Sequence, residues 1–301
     1  MNMPRDLLLL AALAAAAGAP AAGKAVAQTE APRAGGAPSA AIPNISGMWA
    51  YQTCCGFEPP LSGPGPVMNS ARRNGLSDRF RFVGDFTTPI LKPQAAEVIK
   101  RHGEVELSGV THPTPRNQCW PEGVPFILAN SRMQLLQQPD KVTILYEFDH
   151  QVRRVRLDRP HPSQVKPSWY GDSVGHYDGD TLVIDTVGVK IGPFSMIDWY
   201  GTPYSEALHV VERYRLINYV AANAAEERRA REYPPIRADV DQSGDGLQLR
   251  FTVEDDGVFT MPWSATITYR HLLDGWPEFS CAENLHRYVS KHAPAADKPD
   301  F

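Results

Sequence analysis

The chain has 301 residues and a net charge of −4, with no stripe of basic residues. That balance argues against nucleic acid and anionic membrane surfaces as partners. Four cysteines are present, and they can pair in three ways if the compartment is oxidising.

The first segment, MNMPRDLLLLAALAAAAGAPAAGKAVAQ, opens with Arg5, runs apolar from Leu7 and ends in Ala25-Val26-Ala27. A small positive region, an apolar stretch and a small-x-small site make a secretory signal peptide over 1–27, with Gln28 as the mature start. A membrane anchor fits less well, because the Ala-rich stretch is broken by Gly18 and Pro20. It is short and weakly apolar for a span of about 20 residues. No later stretch could cross a membrane, so the protein is expected in the periplasm or secreted. Residues 28–43 are Ala, Pro and Gly; they cannot bury a core and read as a disordered leader. Residues 44–301 remain as one domain. Within it, 44–130 is irregular, 131–273 is the main run of strands and 274–301 is a tail.

In chain order, NISGMWAY begins the domain. KPQAAEVIKRHG then predicts a helix, with Pro93 in its first turn and Gly103 as its stop. Period-2 alternation takes over from residue 133. MQLLQQPDKVTILYEF predicts strands at 133–137 and 142–148, and QVRRVRL a strand at 151–157. SVGHYDGDTLVIDTVGV predicts a hairpin turning at Asp178-Gly179, which makes His176 and Thr181 cross-strand neighbours. LHVVERYRLI is a strand over 208–217. VAANAAEERRARE, 220–232, predicts a helix outside the sheet. LQLRFTVED places Leu247, Leu249, Phe251 and Val253 on one face, and MPWSATITYRHL does the same for Trp263, Ala265, Ile267 and Tyr269. Consecutive strands joined by short turns predict a mainly β fold, an antiparallel meander closing into a barrel with peripheral helices and long loops.

Two resemblances follow from these strings. Gly47-x-Trp49 near the domain start and Arg270 near the last strand resemble the lipocalin and wider calycin signature. That likeness implies a barrel with the cation packed over the indole. The chain departs from that family in its length and in residues 50–130. NQCWPEGVP, PHPSQVKPSWYGDSVGHYDGDTLVIDTVGV, ALHVVERYRL, FTVEDDGVFTMPWSATITYR and EFSCAEN resemble a group of secreted bacterial proteins. That likeness implies export and carries no activity.

Strand parity points to the unusual polar groups. Glu212 shares a face with Leu208, Val210, Tyr214 and Leu216, whereas His209, Arg213 and Arg215 face the other way. If the apolar face lines the barrel, Glu212 is buried and needs a partner. Arg153, on the face of Val155 and Leu157, can supply it. The pair is either a structural element of the wall or a ligand anchor. His150, His161 and His209 are acid/base candidates beside Glu212. His176 is a fourth histidine in that region. None has metal-ligand spacing, so no metal or cofactor is expected. The stretch 188–207 is aromatic, with Trp199 and Tyr204 as candidate ligand contacts at a barrel mouth, joined by Tyr214 and Trp263 inside. Cys119 and Cys281 sit in irregular Trp-Pro-rich segments and are expected to bond to each other; the pairing of adjacent Cys54 and Cys55 stays open. DVDQSGDG begins like a calcium loop but has Arg250 at position twelve, so it reads as a polar turn.

Three functions compete. The first is an exported protein holding a small apolar or aromatic ligand inside a barrel. The second is a cofactor-independent lyase, isomerase or hydrolase using Glu212 and a histidine. The third is an envelope interaction protein whose barrel is packed. Whether the chain is an enzyme, and its oligomeric state, stay open.

Overall fold

A computed structural model of the chain describes residues 42–52, 56–129, 132–234, 236, 238–276 and 278–282. The expected signal peptide, most of the leader, Cys54 and Cys55 lie outside the described residues. No helix among the described residues is long and apolar enough to cross a membrane.

Strand β1 is Gly47–Ala50, and β2 (Arg72–Arg73) and β3 (Leu76–Ser77) form a small hairpin. Helix α1 is Pro93–Leu107. Then come β4 (Arg132–Gln138), β5 (Lys141–Tyr146), β6 (Val152–Leu157), β7 (Asp172–Asp178), β8 (Thr181–Val187) and β9 (His209–Ile217). Helix α2, Tyr219–Ala230, precedes β10 (Gly246–Glu254) and β11 (Trp263–His271). The sheet closes into a barrel in the order β1-β11-β10-β9-β8-β7-β6-β5-β4, with β4 returning to β1.

Alternation sets the interior. Leu247, Leu249, Phe251 and Val253 of β10 and Trp263, Ala265, Ile267 and Tyr269 of β11 are all buried, because a period of two sends every second side chain inward. Phe57, Phe251 and Phe259 surround the Trp263 ring, with centroids at 6.5, 6.0 and 5.8 Å.

Three local readings change. The meander is broken once: β6 and β7 pair in parallel, with Arg156 opposite Val174. Residues 158–171 make the crossover, a length that parallel pairing requires. The β7–β8 turn is Gly179-Asp180, one residue later than the sequence suggests, with Gly179 at φ +61°. His176 therefore faces Val183, and Thr181 pairs with Asp178. Helix α1 also runs past Gly103. That residue is buried, with the Val83 side chain 3.0 Å from where a Cβ would stand; it keeps the helix close to its neighbour instead of ending it.

Helix α2 starts at Asn218, whose side chain accepts the Ala221 N–H. It buries Ala222, Ala225 and Arg229 against the outside of β10 and β11. Cys119 and Cys281 form a disulfide with an S–S distance of 2.10 Å. The Cys281 N–H also donates to Asp149.

Candidate functional site

Four neighbouring strands each contribute one inward polar residue: Arg153 from β6, Ser173 from β7, Thr186 from β8 and Glu212 from β9. Arg153 and Glu212 are 1% and 0% exposed. The guanidinium donates to both carboxylate oxygens at 3.0 and 2.5 Å. Its other N–H groups reach Ser173 Oγ at 3.1 Å and Thr186 Oγ1 at 2.6 Å. The Tyr214 hydroxyl donates to Glu212 at 2.9 Å. Burial pulls the Arg153 pKa down, but the charge and hydrogen bonds of Glu212 outweigh it, so the guanidinium is held charged more firmly than usual. Burial, then the Glu212 charge, pushes the Tyr214 phenol well above its ordinary range. The pair is bidentate and four of the five guanidinium N–H groups have partners in the protein, close to the condition under which a buried ion pair can persist. The four strands are thus tied together by one buried polar network.

None of His150, His161, His176 and His209 joins it. His161 and His209 lie on the outer face, separated from Glu212 by the barrel wall, as the odd parity of position 209 requires. There they form a chain across β6 to β10. His161 Nδ1 is 2.7 Å from Asp172, which also holds Arg156 in two bonds of 2.8 and 2.9 Å. His161 Nε2 and His209 Nε2 each lie 3.1 Å from Asp185, and His209 Nδ1 is 3.3 Å from Glu254. The Arg156 hydrogen bonds hold the Asp172 carboxyl below its usual pKa. Among the described residues, no group of three or more His, Cys, Asp or Glu side chains is placed to hold a metal ion. His150 is exposed in a turn at φ +50°, and His176 is exposed on β7.

The aromatic stretch between β8 and β9 divides. Trp263 lies in the barrel core, away from it. Tyr200 is buried in that core too. Trp199 packs between Phe82 and Phe126, each 5.1 Å away. Tyr204 donates to the Lys190 carbonyl at 2.9 Å and borders a slit with Trp120, Trp169 and Phe194. That slit holds about 10 Å³, room for one water at most. Neither Glu212 nor any of these four histidines lines it.

The larger opening lies beside the slit, between α1 and residues 193–203. It is a groove of about 420 Å³. Val98, Arg101, His102 and Val105 line it from one face of α1, with Phe194 and Met196 across from them. His102 is buried, its nitrogens have no hydrogen-bond partner among the described residues, and its ring stacks on His112 at 3.8 Å. Burial first, and the His112 charge second, pull the His102 pKa down to about 3; the Phe82 carbonyl nearby opposes this without a properly formed bond. Gly201 makes the close approach possible. Its φ is +76°, and a Cβ there would stand 2.3 Å from the His102 ring. The i, i+3, i+4, i+7 spacing of Val98, Arg101, His102 and Val105 was the sequence signal for this face.

At the closing strands, Trp49 donates its indole N–H to the Ile45 carbonyl and packs edge-on against His271 at 5.3 Å. Arg270 faces the opposite side. It is buried under α2, bonded to Glu226 at 3.1 Å, to the Gly244 carbonyl at 2.7 Å and to Asn223. The cation expected over the indole is thus turned away, because adjacent strand residues point to opposite faces. No family model, curated protein or solved structure matches the chain.

Proposed function

We propose that this is an exported β-barrel protein that binds a small, largely apolar or aromatic molecule. The molecule sits in the groove between α1 and residues 193–203, and the barrel is its scaffold. The groove's volume of about 420 Å³ carries this reading. It falls within the roughly 300–1,000 Å³ of ligand pockets, and it is apolar with few polar groups, as such pockets are. The barrel interior offers less. Trp263, Tyr146, Tyr214, Tyr269 and Phe251 are fully buried there, and Arg153 and Glu212 are bonded chiefly to each other and to Ser173, Thr186 and Tyr214. Among the described residues, no histidine bonds to Glu212 to support a catalytic role for it. The disulfide supports an oxidising compartment, and N-terminal sequencing of exported protein should begin at or near Gln28.

Val98 tests the groove. It is 39% exposed and lines the opening, so Val98→Trp fills the groove without entering the core. Native mass spectrometry and fluorescence titration with 2-naphthol should show binding by the wild type, and at least about tenfold weaker binding by Val98→Trp at unchanged Tm. Equal binding by the two proteins would remove the groove. No binding by the wild type would favour the packed-barrel interaction protein, which the filled interior also suits.

A further inference from the structure

We infer that the groove selects ligands that carry a hydrogen-bond donor, a phenol or alcohol on an apolar body, through His112 Nε2. This rests on the groove being the binding site. His112 Nδ1 lies 2.9 Å from the Pro113 carbonyl. A carbonyl only accepts, so Nδ1 carries the proton. In the neutral ring Nε2 then holds a lone pair. Among the described residues that nitrogen has no partner, and it is not sealed from solvent, unlike both nitrogens of His102 beneath it. The ring itself borders the groove. His112 therefore presents an acceptor beside the apolar side chains of Val98, Val105, Phe194 and Met196.

The neighbouring charges do not replace it. Arg101 is directed along its own helix, donating to the Glu97 carbonyl at 3.4 Å and lying 3.5 Å from the Glu97 carboxylate. Ser195 Oγ accepts the Gly192 N–H at 2.8 Å, which engages one of its two lone pairs. His102 is held neutral, so the floor of the groove adds no charge that would call for an anion. An aromatic body packs on the apolar wall, and its hydroxyl donates to Nε2.

The test compares 2-naphthol with naphthalene on the full chain at pH 8. The quantity read is the ratio of their affinities. His112→Phe keeps a ring over His102 and removes the acceptor. It should lower that ratio by about two- to tenfold, the size of one neutral hydrogen bond. His112→Gln, which keeps an acceptor, should retain part of the preference. An unchanged ratio in His112→Phe overturns the inference while leaving the groove standing. So does a preference for 2-naphthoate that vanishes in Arg101→Gln, which would assign recognition to Arg101. If neither probe binds the wild type, the groove reading fails first and this inference with it.

Discussion

Glu212→Ala is the most informative perturbation of the fold. It removes a carboxylate that accepts three hydrogen bonds, two from Arg153 and one from Tyr214. The guanidinium is left 1% exposed with only the hydroxyls of Ser173 and Thr186 as partners. An uncompensated charge at such a site costs about 3–5 kcal/mol, a large part of the roughly 5–15 kcal/mol that holds a domain folded. Glu212→Gln preserves shape but not charge, and is expected to lose most of the same amount. The double variant Arg153→Met, Glu212→Leu removes both charges and fills the space with apolar atoms. Replacing a buried pair in this way is often neutral or stabilising, so its stability should lie within about 1 kcal/mol of the wild type. Guanidinium unfolding under non-reducing conditions, with the m-value held as a check on two-state behaviour, measures all three. A loss below about 1 kcal/mol for Glu212→Ala would show that water reaches the pair. A double variant as poor as the summed single variants would show that the ions do more than satisfy each other.

Two further outcomes are expected. Asp198 is buried, and burial raises its pKa from 3.8 to about 6 against the hydrogen bonds from Tyr200 and Thr202. The fold thus binds this proton more tightly than the unfolded chain does, so stability is greatest below pH 3.8 for this group and falls as pH rises to about 6. The full change is at most about 3 kcal/mol at 1.36 kcal/mol per pKa unit, and Asp198→Asn should flatten stability measured across that window; an unaltered slope would clear Asp198 of the effect. Replacing Cys119 and Cys281 by alanine opens a loop with a sequence separation of 162, for which chain entropy gives about 5 kcal/mol as an upper figure and about 2–4 kcal/mol as the usual loss. Denaturant midpoints for the alanine protein that match the oxidised wild type would refute it.

Much of the barrel was legible because its signals are local. Period-2 alternation located β4 to β11 to within a few residues, and parity on β9 turned Glu212 inward toward Arg153. The disulfide followed from two irregular segments in a chain read as exported. The β6–β7 parallel pair was not legible, because a crossover such as 158–171 leaves no periodicity to read. The turn at Gly179-Asp180 was misplaced by one residue, since Asp-Gly and Gly-Asp stand side by side at 178–180. The groove was missed for a different reason. His102 and His112 lie in and just after α1, far in sequence from residues 193–203, and only tertiary packing brings them together. The histidines near residues 150–209 drew attention by their closeness in sequence, yet alternation sends His209 to the outer wall.

The way β1 closes the barrel constrains how the molecule assembles. Its four residues pair with Arg132–Leu135 on one side and with Arg270 and His271 on the other. Until β11 is available, the sheet from β4 onward is an open curl with bare edges, the surface on which strands from other chains can add. The last joint brings together Trp49 and His271, residues from opposite ends of the domain, so it is the least local pairing in the sheet. Non-local pairings of this kind slow folding, because loop entropy is lost before the contacts form. For a chain that emerges from its N-terminus, β1 can pair with β4 early, but its other edge waits for the last strand, and the interval before they meet leaves that edge open to aggregation.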